Sequence, residues 1–126
     1  MKKLSILLAD DNKHFLQALK YMLEHSNQNK IESIYVANNG QEALSILRSF
    51  HVDIAFMDIE MPGLSGIEVT KKATEQNRFL TVIALSFHQE MEFIKKMMEA
   101  GARNYIIKEE ICSEILENVI NQNIFS

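Results

Sequence analysis

Five polar side chains of this sequence stand where an apolar run stops, and their types suit a phosphoryl group and a divalent cation. They are Asp10, Asp11, Asp58, Ser86 and Lys108. Carboxylates are preferred ligands of Mg²⁺, and a carboxylate can also act as a nucleophile toward a phosphoryl group. An ammonium group pairs with phosphoryl oxygens as a point charge, and a hydroxyl can donate a hydrogen bond to them.

The apolar runs that precede these residues predict buried parallel strands, because they are short and rich in β-branched residues. The predicted strands are 4–9, 32–37, 52–57, 80–85 and 102–107. Apolar residues recur at helical spacing after each of them, so the fold class is α/β, a doubly wound five-stranded parallel sheet with five helices on both faces. Ligands of such sheets bind beyond the carboxyl ends of the strands, where all five side chains converge.

The third predicted helix covers roughly 66–76, and the fourth runs from about Gln89 to Ala100. Gly101 follows the fourth helix, where a left-handed glycine would end it. Met91, Met97 and Met98 lie on this helix, and methionine is frequent on adaptable binding surfaces. We therefore expect the fourth helix to be the first candidate for a partner-binding face, although the same spacing also suits core residues.

Length and composition predict one domain over residues 1–126, with no output domain. The chain has 126 residues, 47% of them hydrophobic, a net charge of −4 and no basic run, which argues against direct contact with nucleic acid. The N-terminal apolar stretch is too short for a signal peptide, and no stretch is long enough to span a membrane. A single cysteine, Cys112, cannot form an internal disulfide, so we expect a cytoplasmic protein.

Each polar residue also has an ordinary structural interpretation when it is considered alone. Asp10 and Asp11 could be an acidic helix start, Ser86 could cap a helix, and Lys108 could be a solvated surface lysine. Asp53 lies at the opposite end of the strand that leads to Asp58, and we interpret it as structural. It is improbable that all of these ordinary interpretations are correct at once, because they would have to hold at successive strand ends.

The sequence resembles the receiver domains of two-component response regulators (CheY-like) over essentially its whole length. The most specific stretch is DIAFMDIEMPGLSGIE, which resembles the strand and loop around the phosphoacceptor. The segment LLADDN resembles the acidic opening of the family, and VIALS and GARNYIIK resemble the strands that carry the hydroxyl and the lysine. The resemblance implies the flavodoxin-like strand order 2-1-3-4-5.

The resemblance also implies a role for each residue. Asp58 is the phosphoacceptor, Asp10, Asp11, Asp58 and the backbone carbonyl of Glu60 bind Mg²⁺, Lys108 pairs with the phosphoryl group, and Ser86 and Tyr105 form the switch. The implied function is a phosphorylation-activated signalling switch that changes its α4-β5-α5 surface. The chain would catalyse only its own phosphoryl transfer and dephosphorylation, so we do not expect an enzyme in the usual sense.

The implied partners are a sensor histidine kinase or a phosphotransfer protein upstream. Downstream, the resemblance implies a protein partner or a covalently linked output domain, and a homodimer on phosphorylation. We expect no membrane partner. Glu109 stands where the family usually has proline after the lysine, and we expect a trans peptide bond there. Glu60 and His88 flank the site and should affect the lifetime of the phosphoryl group.

Two other functions remain open at this point. A degenerate receiver could act as an adaptor independently of phosphate, and Glu109 is the departure that favours it. A phosphohydrolase with an aspartyl nucleophile is suggested by the sequence from Asp58 to Glu60. Such enzymes usually carry the nucleophile after their first strand and have a cap insertion, and neither feature is found here.

Overall fold

The structure is a computed structural model, which describes residues 2–26, 29–87 and 90–124. Its strands are β1 (Leu4–Ala9), β2 (Ile31–Ala37), β3 (Ile54–Asp58), β4 (Thr81–Ser86) and β5 (Asn104–Ile107). Its helices are α1 (Lys13–Ser26), α2 (Gly40–Ser49), α3 (Gly66–Gln76), α4 (Met91–Ala100) and α5 (Ser113–Ile124), and a 3-10 turn covers Lys108–Glu110. The predicted start of the fourth helix near Gln89 lies outside the described residues.

The five strands form one parallel sheet in the order β2-β1-β3-β4-β5. This confirms the predicted fold class and the strand order that the resemblance implied. The central strand β3 lies between β1 and β4, so the carboxyl ends of these three strands are adjacent. Side chains at those ends therefore meet at one edge of the sheet, although they are far apart along the sequence.

Alternation along the strands divides the core between the two faces of the sheet. On β1, Leu4, Ile6 and Leu8 pack toward α1 and α5, whereas Leu7 and Ala9 belong to the core under α2, α3 and α4. Both faces of the sheet are thus covered by helices, as expected for a doubly wound parallel sheet. Burial on both faces explains why the three inner strands β1, β3 and β4 are mostly apolar rather than alternating with polar residues.

The helix ends follow local sequence signals. The side chains of Asn39 and Ser65 accept hydrogen bonds from backbone amides in the first turns of α2 and α3. Gly101 has φ of +127° and ends α4, which confirms the predicted glycine stop. None of the helices in the described ranges combines the length and the apolar character that a membrane span requires.

Two strand boundaries differ from the sequence-based prediction in a way that matters for the site. Asp58 and Ser86 are the last residues of β3 and β4 rather than the residues after them. The reason is register: Asp58 pairs with Leu85, and Ser86 pairs with Ile107, so backbone pairing continues one residue further than the apolar run. Both side chains are therefore held by the sheet itself.

Candidate functional site

Asp10 follows β1 directly and is fully buried. Its backbone amide continues the sheet pairing by donating to the carbonyl of Ala37 at 3.1 Å. Its Oδ1 accepts a hydrogen bond of 2.9 Å from the backbone amide of Asn12, which closes a tight turn before α1. Since its other oxygen faces Lys108, the carboxylate is held rigidly at the sheet edge.

Asp58 ends β3, and its side chain is 8% exposed. Gly66, the first residue of α3, packs directly against it, and a Cβ on Gly66 would overlap the backbone carbonyl oxygen of Asp58. The amide of Gly66 donates to the carbonyl of Ile59 at 2.7 Å, which fixes the return of the loop. Glycine is therefore required here by close approach of backbone to backbone.

Lys108 bridges the two buried carboxylates. Its Nζ lies 2.7 Å from Asp10 Oδ2 and 3.0 Å from Asp58 Oδ1, and its side chain is 9% exposed. The ammonium also lies 5.2 Å from the ring centroid of Phe15 and 5.0 Å from that of Phe87. The lysine is thus paired with two anions and flanked by two aromatic faces, an arrangement that stabilises its charge in a poorly solvated position.

Asp11 completes an acidic cluster with Asp10 and Asp58. One carboxylate oxygen from each residue can be chosen so that all three lie within 4.8 Å of one another. Asp11 is exposed, so the cluster opens to solvent on one side. Three carboxylates lie beside a single ammonium, which pairs with two of them, so negative charge is in excess. The residues therefore fit a small divalent cation that prefers oxygen ligands.

The ionisation of the cluster reflects burial and charge repulsion. Burial and the neighbouring carboxylate of Asp10 raise the pKa of Asp58 from 3.8 to about 7, although Lys108 acts in the opposite direction. Burial alone would lower the pKa of Lys108, but its pairing with Asp10 and Asp58 raises that pKa above its ordinary value. The lysine therefore stays charged, whereas Asp58 needs additional positive charge to be fully ionised at neutral pH.

Ser86 is buried at the end of β4, but its hydroxyl is directed elsewhere than to the carboxylate cluster. The Oγ atom lies 3.1 Å from the carbonyl oxygen of Phe87 and 3.2 Å from Oε2 of Glu90, and these two acceptors share its single proton. The structure thus brings Asp10, Asp11, Asp58 and Lys108 into one cluster and leaves the hydroxyl at its border.

The remaining predicted residues lie around this cluster. Tyr105, on β5, is 39% exposed, and Glu60 is an exposed residue of the loop after β3. The peptide bond between Lys108 and Glu109 is trans, as predicted, and Glu109 is exposed in the 3-10 turn. His88 lies outside the described residues. The roles assigned to Tyr105 and Glu60 stay predictions.

Three residues of the site were missed by reasoning from the sequence. They are Phe15, whose spacing fits the apolar face of α1, and Phe87 and Glu90, which lie between the end of β4 and the start of α4. The spacing of four between Ser86 and Glu90 was the available signal for their hydrogen bond. The sequence held no signal that two rings would flank Lys108, because Phe15 lies 93 positions away from it.

A family model described as the response regulator receiver domain matches residues 6–120. The chain belongs to this family. The matched stretch includes Asp10, Asp11, Asp58, Ser86 and Lys108, and the acidic cluster lies at the carboxyl edge of the sheet. The chain is therefore a receiver domain of the two-component response-regulator class.

Curated relatives of this receiver domain are longer proteins. The transcriptional regulatory protein DegU of Brevibacillus brevis is 26% identical over 117 residues, which cover 93% of this chain and 49% of DegU. The response regulator UvrY of Escherichia coli (strain K12) is 29% identical over 116 residues, which cover 92% of this chain and 52% of UvrY. The receiver domain thus spans about half the length of these two relatives.

Solved structures show the same fold. The response regulator receiver domain protein of Clostridium thermocellum superimposes with a TM-score of 0.84 at 27% identity, covering 96% of this chain and 94% of that one. The receiver domain of NarL from Mycobacterium tuberculosis gives a TM-score of 0.86 at 23% identity, with 98% of each chain covered. The receiver fold of this chain is therefore shared along nearly its whole length.

Proposed function

We propose that this receiver domain accepts one phosphoryl group on Asp58 from a phosphohistidine of a sensor histidine kinase or a phosphotransfer protein. The observation that carries the proposal is the position of Lys108, whose Nζ contacts both Asp10 and Asp58 at the open edge of the sheet. Burying a lysine between two buried carboxylates, beside an exposed third one, is unfavourable in desolvation free energy, so a purely structural role explains this arrangement poorly. The same arrangement is suited to neutralise an incoming phosphoryl group.

The transfer balances as a simple displacement at phosphorus. A carboxylate oxygen of Asp58 forms the new P–O bond, the P–N bond of the donor phosphohistidine breaks, and its electron pair returns to the imidazole nitrogen. Lys108 stays protonated throughout, because its raised pKa keeps the ammonium charged. Its role is to hold the acceptor oxygen and offset negative charge as the phosphoryl group arrives, which is what phosphoryl transfer requires.

Asp10, Asp11, Asp58 and the backbone carbonyl of Glu60 are the residues that would hold Mg²⁺. Bound there, the ion supplies positive charge to the acceptor and phosphoryl oxygens. The donor set supports this proposal, since hard carboxylate oxygens at one open edge match the preference of Mg²⁺. The raised pKa of Asp58 supports it as well, because the acceptor is fully ionised only when more positive charge is near.

Phosphorylation then changes the surface formed by α4, β5 and α5. Aspartyl phosphate carries more negative charge than the carboxylate, and Ser86 donates its hydroxyl to a phosphoryl oxygen. Tyr105, which is 39% exposed, turns inward as Ser86 moves. The result is a population shift between two packings of one fold.

The altered surface controls a downstream protein or a covalently linked output domain, and it favours a homodimer of the phosphorylated form. We propose that residues 1–126 act as one receiver domain in the cytoplasm and that it makes no direct contact with nucleic acid. The length of DegU and UvrY supports an output domain in relatives, since about half of each lies outside the match.

The deciding experiment treats the chain with acetyl phosphate and Mg²⁺ and measures its intact mass. Wild type and Asp53→Asn should gain one phosphoryl group, and Asp58→Asn should gain none. Asp53 is the matched control because it flanks the same strand as Asp58. An unmodified wild type would support a phosphate-independent adaptor, modification of Asp58→Asn would place the acceptor elsewhere, and turnover of generic phosphate esters would favour a phosphohydrolase.

A further inference from the structure

The hydroxyl of Ser86 has a partner that the proposed transfer does not use. Ser86 Oγ lies 3.2 Å from Oε2 of Glu90 and 3.1 Å from the backbone carbonyl oxygen of Phe87, and the serine is fully buried. Glu90 directly precedes α4 and occupies its N-cap position, yet its side chain makes no capping hydrogen bond to the helix. The carboxylate is therefore directed back to the end of β4 instead of stabilising its own helix.

We propose that Glu90 is a positioning residue that holds the Ser86 hydroxyl away from Asp58 in the unphosphorylated domain and releases it on phosphorylation. The release of Ser86 on phosphorylation rests on the proposed function. The retention of Ser86 by Glu90 in the unphosphorylated domain, called the hold below, does not. A serine hydroxyl has one proton to donate. A phosphoryl oxygen on Asp58 therefore competes for this proton with its present acceptors, the Glu90 carboxylate and the backbone carbonyl of Phe87.

The competition connects the site to the surface through the hydrogen bond between Ser86 and Glu90. Ser86 ends β4, and Glu90 is followed at once by Met91, the first residue of α4, which is 56% exposed. When the hydroxyl leaves Glu90, the start of α4 loses its side-chain tie to the sheet. Glu90 thus makes the orientation of Ser86 and the position of the first turn of α4 mutually dependent.

The carboxylate also sets the strength of the hold. A hydrogen bond to an ionised acceptor is stronger than one to a neutral acceptor, and a glutamine at this position keeps an acceptor without the charge. Glu90→Ala therefore removes the hold, and Glu90→Gln weakens it. Glu92, an exposed carboxylate in the first turn of the same helix, is the matched control for loss of negative charge near the start of α4.

The first test is a double-mutant cycle on the unphosphorylated protein, measured by urea unfolding without Mg²⁺. Glu90→Ala should raise the unfolding constant about two- to tenfold in the wild-type background, the range expected for one hydrogen bond. In the Ser86→Ala background the same change should have an effect of less than about twofold. An equal effect of Glu90→Ala in both backgrounds overturns the hold, and Glu90→Gln decides the question if Glu90→Ala does not fold.

The second test measures binding of beryllofluoride, a phosphoryl mimic, in the presence of Mg²⁺. Glu90→Ala should bind about two- to tenfold more tightly than wild type, Glu90→Gln should lie between them, and Glu92→Ala should match wild type. In Ser86→Ala the effect of Glu90→Ala should vanish. The release is overturned if Glu90→Ala and Glu92→Ala bind alike, or if the gain persists without the serine hydroxyl.

The two tests separate failure of this inference from failure of the proposed function. A wild type that does not bind beryllofluoride with Mg²⁺ overturns the proposed function and, with it, the release. The urea cycle still decides whether Glu90 holds Ser86, because that measurement involves no phosphoryl group. Normal beryllofluoride binding without coupling between Ser86 and Glu90 overturns the inference alone.

Discussion

Two aspartates bracket the central strand β3, and their environments shift their pKa values in opposite directions. Asp53 precedes the strand at the amino edge of the sheet, and Asp58 ends it at the carboxyl edge. The pKa of Asp53 lies below its ordinary value, whereas that of Asp58 is raised to about 7. Both residues have the same side chain and lie at the two ends of one strand, so the difference in pKa comes from the groups that the fold places around each.

At the amino edge, donors and cations surround one carboxylate. Asp53 Oδ2 accepts a hydrogen bond of 2.8 Å from the backbone amide of Ser5. Its Oδ1 lies 3.1 Å from Lys2 Nζ and 2.9 Å from His51 Nε2. Burial raises the pKa of Asp53, but these partners together outweigh burial and lower it. This supports the structural interpretation of Asp53.

At the carboxyl edge, three carboxylates lie close together and the one ammonium of Lys108 pairs with two of them, so their negative charge is only partly offset. Asp58 meets the like charges of Asp10 and Asp11, and Lys108 offsets them only in part. The negative charge of Asp53 is balanced by partners within the fold, whereas the negative charge of this cluster is balanced only in part and suits a cation from outside the chain. That contrast supports the proposal that the carboxyl edge binds a cation and a phosphoryl group, whereas Asp53 stabilises the fold.

The largest expected effect comes from removing the lysine at the carboxyl edge, and the lysine at the amino edge is its control. Lys108→Met should destabilise the domain by about 2–4 kcal/mol at pH 8 without Mg²⁺, because it leaves two buried carboxylates unpaired. Lys2→Met, the control at the amino edge, should cost less than about 1 kcal/mol, since Lys2 is 61% exposed. Urea unfolding measures both, and equal losses would break the contrast between the edges.

Removing the charge of Asp58 should change the free energy of unfolding in the opposite direction and stabilise the domain. Its pKa is about 7 in the folded state and near 3.8 when unfolded, so ionisation opposes folding increasingly as the pH rises between these values. Asp58→Asn should therefore stabilise the domain by about 1–3 kcal/mol at pH 8, and the gain should shrink toward pH 5. Urea unfolding at several pH values without Mg²⁺ tests this, and a loss of stability at pH 8 would contradict it.

The smallest expected effect is the loss of the charge of Asp53. Its folded pKa is lowered, so its stabilising contribution is present above the unfolded value near 3.8 and disappears as the pH falls through the folded pKa. Asp53→Asn should destabilise the domain by about 1 kcal/mol at pH 7, because Lys2 and His51 are largely exposed. Thermal unfolding at pH 7 and pH 3 measures it; a variant as stable as wild type at pH 7 would show that the partners contribute little.

Much of the fold could be predicted from the sequence because it depends on local patterns. The bounds of β1 and α3 agree with the prediction, and Gly101 ends α4 as expected. The strand ends carrying Asp58 and Ser86 were placed one residue early, because backbone pairing with a neighbouring strand extends past the apolar run. The methionines of α4 divide: Met97 is buried in the core, and Met91 and Met98 are exposed.

By itself, the sequence determined which chemical groups stand at the strand ends, since apolar runs and polar endings are readable in order along the chain. Only the tertiary structure decided how those groups are paired. The contact of Lys108 with Asp10 joins residues 98 positions apart, and the rings of Phe15 and Phe87 meet at the same ammonium. The opposite ionisation of Asp53 and Asp58 has the same origin, because a pKa depends on neighbours in space and on burial, which parallel strand order creates.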